Sequence, residues 1–220
     1  MPKIASEQAV RQSLTPERIV RAAIELVERD GAEALSMRAV AAELGVAVMS
    51  LYNHVPNKAG LLSGVAQHVV AGMELPDDSG DDWKSRGRAL IWAFRRAAHD
   101  YPESINIVLT HSVEFPVGMR PAERALAVAD AAGFDGVTSV RIMRAMLAYA
   151  LGAQLREIGA VTMLNDLPRD PVRLLAQLDP AQFPHVTALA DELIAHDPET
   201  DFEFGLDLLI NALDALPRRS

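Results

Sequence analysis

The chain of 220 residues contains no cysteine, and this absence removes several classes of function. Without thiols there is no disulfide, no thiol catalysis and no cysteine-based zinc site. A chain without cysteine also suits the reducing cytoplasm, which is where we expect this protein. Hydrophobic residues make up 50% of the chain, but no apolar run approaches the roughly 20 residues of a membrane helix. We therefore expect no membrane partner.

The sequence also lacks the motifs of common catalytic and metal sites. It has no G-x-S-x-G nucleophile turn, no H-E-x-x-H zinc motif and no phosphate-binding glycine loop with its lysine. The acidic run 77–82 does not continue as a calcium loop, because Arg88 stands where the bidentate glutamate would be. We interpret this run as a solvated linker. We expect no enzymatic activity, no cofactor and no bound metal.

Apolar residues recur at helical spacing along the chain, so the sequence predicts an all-α fold without strands. The first helix has clear signals, with Thr15 as N-cap, Pro16 at the first position and a stop at Asp30-Gly31. Further helices are predicted at about 37–44, 47–54, 58–73, 81–101, 102–113, 136–158, 184–196 and 199–216. Another is predicted to end at 132–133, and a short one lies among the prolines between 168 and 184.

The segment Leu35–Leu61 predicts two short helices joined by a tight turn, followed by a third helix that begins with a lysine. Ser36 can cap the first of them, and Gly45 can adopt the positive φ at which the chain turns. The next helix covers Ala47–His54, and Pro56 stops it. This layout is typical of a helix-turn-helix DNA reader, whose second helix enters the major groove.

The second helix of this motif has two different faces. Leu51 and Val55 lie one turn apart and are predicted to face the core. Met49 and Asn53 also lie one turn apart, on nearly the opposite side. An exposed methionine beside a polar residue indicates a surface with a partner. The alternative is a solvated face that happens to carry one methionine.

Neighbouring polar side chains favour the DNA-binding interpretation. Tyr52 and His54 can each bind a phosphate, and Lys58 begins the next helix, where lysines and helix N-termini commonly hold phosphates. Thymine methyl groups are the main apolar target in the major groove, and guanine is the preferred target of arginine. The predicted DNA-binding residues are Arg38, Val48, Met49, Ser50, Tyr52, Asn53, His54 and Lys58.

The block from Thr15 to Leu62 resembles the N-terminal domain of the tetracycline-repressor (TetR) family of transcriptional regulators. The matching pieces are Ile19-Val20-x-Ala22-Ala23-x-x-Leu26-Val27, Asp30-Gly31, Ala34-Leu35-Ser36-Met37-Arg38, Val40-Ala41-x-x-Leu44-Gly45-Val46, Leu51-Tyr52-x-His54-Val55 and Lys58-x-x-Leu61-Leu62. The resemblance implies a three-helix DNA-binding domain, a homodimer and a ligand-regulated repressor. We expect a small-molecule effector to release the protein from a double-stranded operator. That operator should be near-palindromic, because a two-fold dimer presents two reading helices. We accordingly expect a disordered arm at 1–14, a helix-turn-helix DNA-binding domain at 15–62 and a helical ligand-binding and dimerisation domain at 63–220.

The net charge of −9 is unusual for a protein that binds DNA, so its distribution matters. Residues 1–60 carry seven basic and seven acidic side chains, and the whole excess of acid lies in residues 61–220. Because this domain has no net positive charge, its basic side chains must be positioned individually to contact the DNA. We expect modest non-specific affinity, because that affinity scales with the number of phosphates neutralised.

The final helix also resembles this family, through Phe202-Glu203-Phe204-Gly205-Leu206-Asp207-Leu208-Leu209-Ile210-Asn211-x-Leu213. The stretch 145–152 resembles the helix that pairs with it, and in the family these two helices form a four-helix dimer bundle with their mates. Small residues along that stretch would allow close approach of helices, although an ordinary intramolecular core explains them too. The predicted interface residues are Ala145, Tyr149, Gly152, Phe204, Leu208 and Leu209.

The resemblance also places a ligand pocket between the long helix at 81–101 and its neighbours. The candidate lining residues are Trp92, Phe94, His99, Ile105, Leu109, His111, Met143 and Met146, and plain core packing is the alternative for each. The positions that carry the drug-binding histidine and asparagine of the tetracycline repressor fall near Glu74 and Leu90 here. Neither residue can make the same bonds, so we expect a ligand other than tetracycline.

Three functions remain open at this point. The sequence favours a one-component transcriptional repressor. The alternatives are an all-α small-molecule-binding protein with a vestigial helix-turn-helix, and a helical enzyme of unrecognised type. The neutral charge and the apolar start Ala47-Val48-Met49 keep the first alternative open. For the second, the sequence offers neither an activated nucleophile nor paired carboxylates.

Overall fold

A computed structural model describes residues 13–76, 82–111, 115–166, 171–195 and 197–219, and within those residues it contains helices and no strand. The predicted all-α fold is confirmed. Most of the predicted arm at 1–14, the linker residues 77–81, Val113 and His196 lie outside the described residues. The chain divides into two compact units, one of Met1–Met73 with Ala97–Arg120, the other of Glu74–Arg96 with Pro121–Ser220.

The first unit begins with two helices whose ends agree with their predicted signals. Helix α1 covers Pro16–Asp30; the Thr15 hydroxyl oxygen accepts a hydrogen bond from the backbone N–H of Arg18. Helix α2 covers Met37–Leu44 and is capped by the Ser36 hydroxyl, which accepts from the Ala39 N–H at 3.1 Å. Gly45 ends α2 in the left-handed conformation at φ 64°, which a side chain would strain.

Helix α3 covers Val48–Tyr52, so the predicted extension to His54 is wrong by two residues. The backbone N–H groups of His54 and Val55 both donate to the Leu51 carbonyl, and the bond from His54 spans only three residues, as in a 3-10 turn. Pro56 explains this early end, because it disfavours helical geometry in the residue before it.

Helix α4 covers Lys58–Gly72, close to the predicted span. Its N-cap is Asn57, whose side-chain oxygen accepts from the Gly60 N–H at 2.9 Å. Asparagine is a preferred N-cap residue, but the sequence prediction did not use it.

Helix α5 covers Trp83–Asp100 and contributes to both units, since residues 83–96 belong to the second and 97–100 to the first. Helix α6 covers only Ile105–Thr110, so the prediction that Pro102 opens this helix is wrong by three residues. Pro102 instead begins the turn that joins α5 to α6. The first unit also contains a 3-10 turn at Val117–Met119.

The core of the first unit is built from helices α1 to α4 and from α6, which contributes the buried Ile107 and the partly buried Val108. Ile107 of α6 is 2% exposed and packs in the same cluster as the helix-turn-helix core. The fully buried members of that cluster include Ile19, Ala23, Val27, Leu35, Val40, Leu51, Leu61 and Val65. Because Leu51 fixes one side of α3 in this core, the opposite side of α3 faces away from it.

The second unit contains the remaining helices: α7 at Arg120–Ala131, α8 at Gly136–Asp166, α9 at Pro171–Ala176, α10 at Pro184–Ala188, α11 at Ala190–Ile194 and α12 at Pro198–Ala212. Helix α8 runs eight residues beyond the predicted end at Ile158. The predicted helix at 184–196 is wrong, because Leu189 interrupts it and two short helices form. The last predicted helix is confirmed as α12, capped by Asp197 and followed by a 3-10 turn at Leu213–Ala215.

The core of the second unit forms where α8 meets α12. Met146 of α8 and Phe202, Leu206 and Ile210 of α12 are each at least nine-tenths buried. The Tyr149 ring stacks on Phe202 with centroids 5.3 Å apart, which adds aromatic contact to the buried area.

Candidate nucleic-acid interface

Helix α3 exposes the face that the sequence assigned to DNA. Leu51 is completely buried and Val55 is 6% exposed, whereas Met49 is 72% exposed. A methionine this open has lost the free energy that burying its side chain would give, about 1.5–3 kcal/mol. The predicted separation of core and outer faces is confirmed.

The other predicted DNA-binding residues come from α2, α3, the turn that follows α3 and the start of α4, all within the first unit. Arg38, Asn53, His54 and Lys58 are exposed, and Tyr52 is 45% exposed. Val48 and Ser50 are half-buried, and Val48 packs partly against the core cluster. Only the part of the Val48 side chain that is not packed against the core is therefore open to a partner.

One basic residue of this unit is already paired with acids. The Arg29 guanidinium at the end of α1 bonds Asp30 at 3.0 Å and Glu43 of α2 at 3.1 Å. The hydrogen bonds from Arg29 lower the pKa of the Glu43 carboxyl. The pairing ties α1 to α2 and neutralises an acid on the helix that precedes the reading helix.

The predicted ligand-binding residues are divided between the two units. His99, Ile105, Leu109 and His111 belong to the first unit, where Ile105 is buried and the other three are exposed. The remaining four, Trp92, Phe94, Met143 and Met146, belong to the second unit. There Met146 is buried in the α8–α12 cluster, Trp92 packs against it, and Phe94 and Met143 are half-buried.

A buried polar group in the second unit was not predicted from the sequence. Arg95 and Glu157 form an ion pair at 2.6 Å with almost no solvent exposure, and the guanidinium lies 4.3 Å from the centre of the Phe202 ring. The side-chain oxygen of Gln154 is buried nearby on α8 without a hydrogen-bond partner. The two ends of the ion pair are 62 residues apart in the chain, so no local pattern could have revealed it.

An open groove of about 470 Å³ lies between α8 and α12. Its lining includes Tyr149, Gly152 and Phe204, three of the residues predicted for the dimer interface, together with Arg156, Asp201 and Gly205. The Tyr149 hydroxyl donates to the Phe202 carbonyl at 2.6 Å. The ring comes this close to α12 because Gly205 has no Cβ; an added one would lie 2.9 Å from Cε2 and Cζ of Tyr149.

The predicted interface residues differ in how much of each side chain is open. Phe204 is 66% exposed and Leu208 is 58% exposed on α12, and Ala145 and Gly152 are exposed on α8. Tyr149 is half-buried. Leu209 is half-buried and packs against its own α8–α12 cluster.

Within the described residues, no cluster of three or more acidic or histidine side chains could hold a metal ion. In the same part of the chain, none of the helices combines the length and apolar character needed to span a membrane.

Helices α1 to α3 form a three-helix domain, and its last helix exposes polar side chains and a methionine. Together with a separate helical unit, this arrangement defines a helix-turn-helix DNA-binding regulator. Comparison with known families agrees. The model for bacterial regulatory proteins of the tetR family matches residues 19–65, and the tetracyclin repressor-like C-terminal domain matches residues 75–216. The chain belongs to the TetR family. It is a ligand-responsive transcriptional regulator, as the sequence predicts, and not an enzyme.

Individual relatives cover most of the chain. The transcriptional repressor DrrR1 of Streptomyces coeruleorubidus is 30% identical over 94% of this chain and 79% of its own length. The class C tetracycline repressor protein from Escherichia coli is 29% identical, over 92% of both chains. The crystal structure of Streptomyces coelicolor ActR in complex with actinorhodin superimposes with a TM-score of 0.78 at 25% identity, covering 93% of this chain and 98% of that chain.

Proposed function

We propose that this protein is a homodimeric repressor that binds a near-palindromic operator and is released from it by a small molecule. The observation that carries the DNA-binding part is the exposed Met49 opposite the buried Leu51 on α3. Exposing an apolar side chain on this outer face to water is unfavourable in free energy. The methyl groups and base edges of a major groove are suitable partners for such a face. Such a regulator acts where the DNA is, so we expect it in the cytoplasm.

The proposed roles of the interface residues follow from their chemistry. Met49 and the open part of Val48 meet thymine methyl groups, while Asn53 and Arg38 bond base edges or nearby phosphates. The remaining four, Ser50, Tyr52, His54 and Lys58, hold phosphates, and such contacts position the domain without reading sequence. We assign the DNA-binding domain to 15–62, the arm to 1–14 and the sensing and dimerisation domain to 63–220.

Dimerisation through α8 and α12 is supported by the apolar side chains that these helices leave open. Phe204 and Leu208 lie one turn apart on α12 and are both more than half exposed. Leu155 on α8 is 63% exposed, on the same helix as the open Gly152. A second copy of the chain would cover these residues, and a two-fold dimer would present two reading helices to half-sites about one helical turn apart, or slightly more.

We infer that the effector is an apolar or mixed aromatic molecule that binds in the sensing domain near Trp92, Phe94 and Met146. The aromatic and methionine side chains of α5 and α8 support this choice. The binding of actinorhodin, a small molecule, by the related ActR is consistent with it. The buried polar group of Arg95 and Glu157, with the unpartnered oxygen of Gln154, would favour an effector that also carries hydrogen-bonding groups.

Selection from a random pool of DNA duplexes tests the proposed function. The full chain should enrich duplexes with two inverted half-sites, and a gel shift should show binding at least about 10³-fold tighter than to a shuffled duplex of the same composition. Met49→Gln and Leu51→Ala provide a matched pair on one helix: the first should alter which duplexes are retained, and the second should reduce folding. Failure of the folded protein to enrich any duplex would support the vestigial alternative.

A further inference from the structure

The turn between α5 and α6 is held by a carboxylate from α1. Pro102 has no backbone N–H, and the N–H of Ile105 donates to the Tyr101 carbonyl at 2.9 Å. The two amides between them are those of Glu103 and Ser104. Both donate to the side chain of Glu28, at 3.2 Å to Oε2 and 2.9 Å to Oε1.

The two bonds differ in environment, because the bond to the Ser104 amide is partly buried and the bond to the Glu103 amide is exposed to solvent. Ser104 is completely buried, and its hydroxyl oxygen has no hydrogen-bond partner. The carboxylate is an ionised acceptor, and hydrogen bonds to charged groups are about twice as strong as neutral ones. A buried amide that loses its acceptor bears the full cost of desolvation. Loss of the Glu28 side chain would therefore destabilise the turn mainly at the Ser104 amide, because the exposed Glu103 amide can bind water instead.

Both sides of this contact belong to the unit that contains the helix-turn-helix. Glu28 lies in the last turn and a half of α1, whose apolar face packs with α2 in the core cluster. Helix α6 enters the same cluster through Ile107, and Tyr101 contacts the ring of His68 on α4 edge-on at 6.3 Å. Movement of α6 would thus reach α1 and α4 together.

We propose that the Glu28 carboxylate is a positioning residue that couples α6 to operator binding. In the arrangement that binds DNA, Glu28 holds both amides of the α5–α6 turn; in the arrangement that the effector favours, at least one of these bonds is broken. The proposal rests on the proposed DNA-binding function and on the proposed effector site, whose residues Trp92 and Phe94 lie on α5, the helix that leads into this turn. Because coupling is reciprocal, operator binding must strengthen the Glu28 contact by the same factor by which the contact strengthens operator binding.

Amide hydrogen exchange at residues 103–105 of the full-length protein tests this coupling, with and without a saturating duplex from the selection described above. In the wild-type protein the duplex should slow exchange of the Glu103 and Ser104 amides at least about fivefold, the lower end of common coupling strengths. Glu28→Gln keeps only one acceptor oxygen, and a neutral one, so it should reduce the slowing and weaken duplex binding by a similar factor. Glu25→Gln, an exposed position on the same helix, removes the same charge and should behave as wild type.

The outcomes separate this proposal from a structural cap and from a failure of DNA binding. If Glu28 only caps the turn, exchange should be faster in Glu28→Gln, but the duplex should not slow exchange in the wild-type protein. The absence of slowing in the wild-type protein would overturn the proposal. If Glu28→Gln fails to fold, the wild-type comparison still decides. Slowing by the duplex that is as large in Glu28→Gln as in the wild-type protein would also overturn it. If the folded wild-type protein retains no duplex, the DNA-binding function fails, and the proposal fails with it.

Discussion

Replacing Gly205 with alanine tests the packing between α8 and α12 at its tightest point. In an unobstructed helix interior this change stabilises a protein, because glycine costs about 0.5–1 kcal/mol relative to alanine. At Gly205 the new Cβ would overlap the Tyr149 hydroxyl and lie 2.9 Å from two ring carbons. Tyr149 is held by stacking on Phe202 and by its bond to the Phe202 carbonyl, so it cannot move freely.

The magnitude follows from three contributions. Overpacking in a closely packed region costs about 1–3 kcal/mol. Displacing Tyr149 loses a hydrogen bond worth about 0.5–1.5 kcal/mol. The gain in helix propensity, up to about 1 kcal/mol, opposes both. We expect Gly205→Ala to lower the free energy of unfolding by about 2 kcal/mol, because the packing and hydrogen-bond losses exceed the propensity gain.

Urea unfolding at one fixed protein concentration measures this change, since the stability of a dimer depends on concentration. Gly87→Ala on α5 is the matched control, because its Cβ would meet only Val128 Cγ1 at an ordinary 3.9 Å. This control should gain about 0.5–1 kcal/mol. Tyr149→Phe removes the nearest atom and should relieve part of the cost of Gly205→Ala. A Gly205→Ala protein as stable as the control would refute the reasoning.

Four further changes test other parts of the structure. Met49→Gln should relax or switch base preference at a T position, and unchanged binding to every single-base variant of the operator would show that Met49 does not read DNA. Lys58→Ala should weaken binding evenly across duplexes and reduce the salt slope by about one; an unaltered slope with altered base preference would contradict the phosphate role. Leu208→Glu should yield monomers in sedimentation at micromolar concentration, whereas a wild-type monomer there would end the dimer proposal. Burial raises the pKa of the Tyr149 hydroxyl above its usual 10.0, so its contribution to stability should be complete below that pH and be lost as the pH rises through the raised pKa, a loss that Tyr149→Phe should not show.

Local signals made most helix ends in the first unit predictable. The Thr15 and Ser36 caps and the turn at Gly45 depend only on residues within one turn, and the structure has them as expected. The predictions for α3 and α6 are less accurate, because a turn separates each helix from its proline. Helix α3 ends before the turn that leads to Pro56, and α6 begins after the turn that contains Pro102. Helix α8 exceeded its prediction by passing through Gly159, and one glycine costs a helix only about 1 kcal/mol.

Contacts between distant residues were not predictable in the same way. The exposed face of α3 could be predicted, because the angle between Met49 and Leu51 is a property of one helix. The Glu28 contact joins residues 75 and 76 positions apart. It depends on how α1 and α6 pack, which apolar spacing alone does not define. The Arg95–Glu157 pair is hidden from sequence for the same reason.

The compact unit that contains the helix-turn-helix is discontinuous in the chain, and this limits how the protein can be recombined. Its core includes Ile107, contributed by the segment Ala97–Arg120 that follows the first stretch of the second unit. A chimeric regulator that joined residues 1–73 to the sensing part of a relative would have to fill the place of Ile107 with that relative's side chain. It would also have to supply amides for Glu28 to hold. Exchange of DNA-binding domains between members of the family should therefore succeed best when the α6 segment is transferred together with the helix-turn-helix.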